Sequence, residues 1–159
     1  MQLVEYFYDM KMMNFEAKLL YRASRDGFKA ADFHRTSINK GPTISIIQTT
    51  TGHIIGGYTG VSWGDCGDFK SDKTAWIYSF SHREPFKITK SRQAIACFSN
   101  SGPVFGNGDI VIKDESDESF VHWNEYSGYD FRGKHLMDGS GRVQFNASQI
   151  EVYSVAFKL

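Results

Sequence analysis

PTISIIQTTTGHIIGGYTG, residues 42–60, is the stretch on which the fold turns. Ile and Thr dominate both halves, and β-branched side chains suit a pleated, half-buried surface better than a helix. Thr51-Gly52 separates the two runs, and glycine supplies the positive φ that a tight hairpin turn requires. The segment predicts two strands joined by a turn.

The same texture continues downstream. TAWIYSFS, 74–81, sets Trp76, Tyr78 and Phe80 on one face and Ala75 and Ile77 on the other, so a strand here is apolar on both sides and central. FKITK, 86–90, alternates with Phe86 and Ile88 inward. AIACFS, DIVIK and RVQF are further short strands. In QIEVYSVAF, 149–157, Ile150, Val152 and Ala156 share one side and Tyr153, Val155 and Phe157 the other.

Upstream the period changes. QLVEYFYDMKMM places Leu3, Phe7 and Met10 at helical spacing, predicting an amphipathic helix over about 1–13. A second short helix is expected at roughly 29–39, with Phe28, Ala31 and Ile38 on one face. Many short strands, with helices confined to the first third, imply a mainly β fold with flanking helices (α+β). The expected form is a two-sheet antiparallel β-sandwich with short helices at its edge.

A chain of 159 residues supports one domain, taken as 1–159. Lys plus Arg and Asp plus Glu are 18 each, so no net field favours nucleic acid or an anionic membrane. No apolar run approaches the ~20 residues of a membrane-spanning helix, so no membrane insertion is expected. Neither a secretory leader nor cysteine spacing for a metal is present, which fits a reduced, cytoplasmic monomer. The sequon at Asn146 is read as chance. The acidic DESDES, 114–119, lacks the EF-hand spacing and is read as a solvated loop.

SGPVFGNGD, 101–109, invites a phosphate-cradle reading because glycine-rich loops present amides to anions. It fails that reading. No Gly-Lys-Ser/Thr closes it, Asp109 repels phosphate, and a strand-like IVI follows instead of a helix. A turn with close packing explains it better, with Asp109 bonding to turn amides. Gly106, Asn107, Gly108 and Asp109 are retained as a candidate partner surface, since binding residues ride on loops held by a rigid scaffold.

Catalytic chemistry finds less support. His34, His53, His82, His122 and His135 are scattered and form no metalloprotease or nucleophile-elbow context. Cys66 and Cys97 are the candidate redox residues. Asp65 and Asp68 flank Cys66 and disfavour a thiolate, while Cys97 alternates with Ile95 as a buried strand residue does. Trp123, Tyr126, Tyr129 and Phe131 are expected to pack over the open end of a sheet. No catalytic, cofactor or metal residues are assigned.

LLYRASRDGF (19–28), KGPT (40–43), GGYT (56–59) followed by Trp63, AWIYSF (75–80), PVFGNGD (103–109) and IEVYSV (150–155) together resemble the TLDc domain. The likeness spans essentially the whole chain. It implies a two-sheet β-sandwich with a few helices. It also implies a role in protection against oxidative damage, exerted in several such proteins by binding the vacuolar proton-pumping ATPase. The resemblance carries no catalytic residues. The expected function is therefore a non-enzymatic, protein-binding module. The competing reading is an enzyme with a hydrolytic or thiol-redox site built from dispersed His, Cys and carboxylates; perturbed groups converging in one cleft would distinguish it.

Overall fold

The Ile/Thr stretch folds as a hairpin, Thr43–Thr49 (β2) against Ile54–Thr59 (β3). Thr49 N–H donates to His53 O (2.9 Å), leaving a three-residue loop whose last residue, Gly52, has φ +90°. That is the conformation for which glycine is needed there. The computed structural model describes residues 15–82, 85–114, 118–137 and 141–157. The helix expected at 1–13 lies outside them, as do residues 115–117 of the acidic stretch.

Around this hairpin the described residues form two antiparallel six-stranded sheets. The first runs β1 (Phe15–Arg22), β12 (Ala147–Phe157), β2, β3, β5 (Trp76–Ser79), β6 (Phe86–Lys87). The second runs β11 (Arg142–Phe145), β10 (Ser119–His122), β9 (Ile110–Lys113), β8 (Ser101–Phe105), β7 (Ile95–Cys97), β4 (Asp68–Lys70). Two helices, α1 (Ala23–Asp26) and α2 (Ala30–Ser37), follow β1, and a single 3₁₀ turn covers Ser91–Gln93. This is the expected β-sandwich with short flanking helices.

Period-two alternation sorts the side chains into layers. Ile47, Ile55, Ile77 and Val152 of the first sheet meet Ile95, Phe105, Ile110 and Val121 of the second in the central core. Ile44, Tyr58, Trp76, Tyr78 and Tyr153 form a second buried cluster on the first sheet's other face. The first sheet is thus apolar on both sides, which is why WIYS is buried at every position.

Several expectations need correction. Phe80 lies past the end of β5 and is 43% exposed, instead of continuing the Trp76–Tyr78 face. Ala156 and Phe157 are exposed at the end of β12. The buried face of α2 is Ala30, Phe33 and Ser37; Ala31 is exposed, so the predicted phase was off by about one residue. Of the aromatics assigned to the sheet end, Tyr129 and Phe131 are buried, but Trp123 and Tyr126 are 39% and 66% exposed.

SGPVF is a fully buried strand, not part of a turn. Proline inside such a strand is accommodated by a bulge. The ladder steps from Ser101↔Lys113 to Val104↔Val111, three residues against two, so Gly102-Pro103 carries the extra residue where no ladder amide is needed. GDCGDFKSDK, 64–73, contains an edge strand, β4, which pairs with β7 and is absent from the strands expected above.

Candidate functional site

The motifs that looked like signatures are mostly packing devices. Thr43 of KGPT accepts a hydrogen bond from Trp63 Nε1 (2.9 Å), both residues being buried. Tyr21 of LLYRASRDGF donates to Gly27 O (2.6 Å), closing the loop between the two helices. Tyr21, Phe33, Trp63 and Phe105 then meet edge to face in a continuous chain, with centroids 5.9, 5.5 and 5.5 Å apart. This geometry suits the ring quadrupoles and locks α2 onto both sheets. The paired glycines of GGYT serve opposite faces. A Cβ on Gly57 would lie 2.7 Å from Phe105 in the core; one on Gly56 would lie 1.9 Å from Ser45 O and 2.8 Å from the Tyr78 hydroxyl.

The glycine turn itself spans Gly106–Gly108, with φ +68° at Gly106 and +98° at Gly108. Asp109 stands behind it, 1% exposed. Its Oδ2 accepts the Gly128 amide (3.0 Å), while Oδ1 accepts no well-formed hydrogen bond among the described residues. Burial pushes its pKa up to about 6, against the opposing pull of the Gly128 amide, Ser127, its own amide and Lys90. Gly128 O in turn accepts from Thr89 and Lys90 N–H. Asp109 therefore ties the β8–β9 turn to the 123–131 segment. Of the four residues proposed as a partner surface, Asn107 is exposed and Gly108 half-buried, whereas Gly106 and Asp109 are buried. Asp109 cannot be touched from outside, because Gly106 lies over its carboxylate: a Cβ there would sit 1.7 Å from Oδ2.

What the turn borders is a groove of about 490 Å³ on the outer face of the second sheet. Its floor is Ala96, Val104 and Val111, flanked by the half-buried Phe69, Phe98 and Phe120. Asn107 and Gly108 of the turn line it, as do Lys113, His122 and Arg142. The Arg142 guanidinium lies 3.8 Å from the Phe120 ring centroid and Lys113 Nζ 6.0 Å from it. No Asp or Glu lines the groove among the described residues. An apolar floor with a cationic rim suits an occupant with an apolar surface and carboxylates. Sequence reading found the turn but missed the groove. Its one usable signal was the alternation Ala96–Phe98, Val104 and Val111 on faces opposite Ile95, Phe105 and Ile110.

Among the described residues His122 is the one histidine on the rim of that groove; the other histidines and the two cysteines do not line it. His34 Nε2 contacts the carbonyls of Phe98 (2.9 Å) and Ser101 (2.8 Å), and His82 Nε2 that of His135 (2.8 Å). His122 meets the Asn124 amide. These contacts fix loops. Among the described residues no group of three or more His, Cys, Asp or Glu side chains is placed to hold a metal. Cys66 is exposed and Cys97 buried. The two lie side by side at the β4–β7 edge, where Gly67 N–H donates to Cys97 O (2.8 Å).

The fold and its landmarks define a two-sheet β-sandwich module with short flanking helices. The chain belongs to the TLDc domain family, whose family model matches residues 1–156. No curated protein gives a match to the sequence.

Proposed function

We propose that this TLDc domain is a non-enzymatic module that binds a protein partner through the outer face of its second sheet. The observation that carries this reading is the groove, a concave apolar floor rimmed by Lys113, His122 and Arg142 and bordered by the Asn107–Gly108 turn. Its shape and chemistry suit an acidic, partly apolar protein segment. Membership of the family supports an interaction module in general. The finer reading is that the domain acts in the cytoplasm in protection against oxidative stress, with the vacuolar proton-pumping ATPase as the partner to test first. That part follows from the properties of similar proteins. No helix among the described residues is long and apolar enough to cross a membrane.

The test is affinity capture with the tagged chain and with a K113E/R142E variant. Both side chains are exposed, so the loss of stability stays at about 1 kcal/mol, chiefly from the Arg142–Phe120 ring contact. Charge reversal is expected to reduce recovery of the vacuolar ATPase subunits tenfold or more. Equal recovery by both proteins would remove the groove from the reading; failure to recover pump subunits with the unaltered chain would remove that partner.

A further inference from the structure

The two cysteines lie 31 positions apart in sequence and still meet in the fold. Cys66 precedes the edge strand β4, and Cys97 ends β7, the strand it pairs with. In that ladder Asp68 is the direct partner of Cys97, and the Gly67 amide donates to the Cys97 carbonyl at 2.8 Å. This bond sets the backbone at 66–67 alongside that of Cys97, the neighbourhood in which a disulfide, which needs Cα atoms roughly 4.4–6.8 Å apart, is formed. Cys66 is open to solvent, whereas Cys97 is 1% exposed and part of the central core.

We propose that Cys66 and Cys97 form a redox modification site, a reversible disulfide made by hydroperoxide, which staples the 64–67 loop to strand β7. The division of labour follows from access. Cys66 is the thiol that a dissolved oxidant reaches; Cys97 is sheltered and placed to resolve.

Burial pushes the Cys97 thiol up, the Gly64 amide and the Lys70 ammonium work in the opposite direction, and the Cys66 side chain, close enough to act on it, raises it further. Lys70 is held at this corner by donating to Ser62 O (2.7 Å).

The chemistry balances. The fraction of Cys66 present as thiolate attacks one oxygen of ROOH; Asp65 and Asp68 keep that fraction small and so make the step slow. The O–O bond breaks, and the departing alkoxide takes a proton and leaves as ROH, giving Cys66 sulfenic acid. The Cys97 sulfur, having shed its proton, attacks the Cys66 sulfur. The S–S bond forms, the S–O bond breaks, and hydroxide takes up that proton to leave as water. Two thiols and one hydroperoxide become one disulfide, ROH and water; two electrons pass from the sulfurs to the peroxide. A dithiol reductant reverses the modification.

The inference stands apart from the partner reading, because it is measured on the purified chain alone. The chain is treated with hydrogen peroxide at micromolar protein and followed by intact mass, non-reducing peptide mapping and sulfenic-acid trapping. The expected product is monomeric, has lost two hydrogen atoms, links the Cys66 and Cys97 peptides, and returns to free thiols with dithiothreitol. At the effective concentration of neighbouring groups, it should exceed any Cys66-linked dimer roughly a hundredfold. C97A should stop at a trappable sulfenic acid on Cys66, and C66S should leave Cys97 unmodified. Should C97A fail to fold, the mapping of the unaltered chain and of C66S decides alone. Cys66 oxidising while Cys97 stays free, or a disulfide dimer as the main product, would overturn the proposal.

Discussion

Asp109 holds a carboxylate where water does not reach it, and its protonation is therefore coupled to folding. Its pKa is pushed from 3.8 up to about 6, chiefly by burial. A folded-state value above the unfolded one means that the native state binds the proton more tightly. The resulting stabilisation is fully present below pH 3.8 and is lost as pH rises to about 6. The shift corresponds to something on the order of 3 kcal/mol. Replacing Asp109 by Asn keeps an oxygen for the Gly128 amide and removes the charge. Denaturant unfolding from pH 4 to pH 7 should show D109N without this component and more stable than the parent at pH 7; an unchanged pH profile would contradict the assignment. Gly57 makes a second claim at this scale. A Cβ there meets Phe105 Cε1 at 2.7 Å and the Trp76 carbonyl at 2.9 Å. G57A should cost about 1–3 kcal/mol by overpacking. Adding F105L should restore part of it, since the ring contact is relieved and the carbonyl contact is not; strict additivity in a double-mutant cycle would exclude the Gly57–Phe105 contact as the cause.

Strand β4 has only three residues and one neighbour, and the loop that follows it is anchored by a carboxylate. Asp72 Oδ2 accepts from Gly60 N–H (2.6 Å) and the Thr59 hydroxyl (3.1 Å); Oδ1 accepts from Thr74 N–H (2.8 Å) and its hydroxyl (2.6 Å). D72A would leave a half-buried amide without its partner and should cost about 2–3 kcal/mol. The loss should be seen as faster amide exchange across 60–74, with β2 and β12 unaffected at the same denaturant concentration. Elements of this kind also mark where sequence reading stops. The hairpin at 42–60, the two-faced WIYS strand and the alternation of IEVYSV were legible because each has enough residues to display its period. β4 was not, since one apolar residue between Asp68 and Lys70 shows no period at all. SGPVF read as a turn because Gly and Pro dominate its composition, and only the opposing register reveals the bulge that lets Pro103 stay in a sheet. The turn of the candidate site could be read from Asn107-Gly108. The groove beside it could not, because Phe69, Ala96, Val104 and Phe120 come from four strands and meet only through tertiary pairing.

At the scale of the whole molecule, the two sheets share a core but differ in what lies on their outer faces. The first sheet is buried there by Tyr58, Trp76 and Tyr153, whereas the second keeps the groove. If the groove is the binding site proposed above, changes at its rim should alter partner recovery while leaving unfolding nearly unchanged. The order β1-β12-β2 in the first sheet places the last described strand between the first two. Deleting 147–157 should therefore abolish cooperative unfolding and near-ultraviolet dichroism altogether; a truncated chain that still melts sharply would show that β1 is not needed by the rest of the sheet. During synthesis, the same arrangement imposes a wait. The first and second strands leave the ribosome early, with their hydrogen-bonding edges facing a partner not yet translated. Until that strand arrives, the nascent chain must be kept from pairing with its neighbours, a demand that falls on the cell's chaperones before the finished domain can serve any purpose.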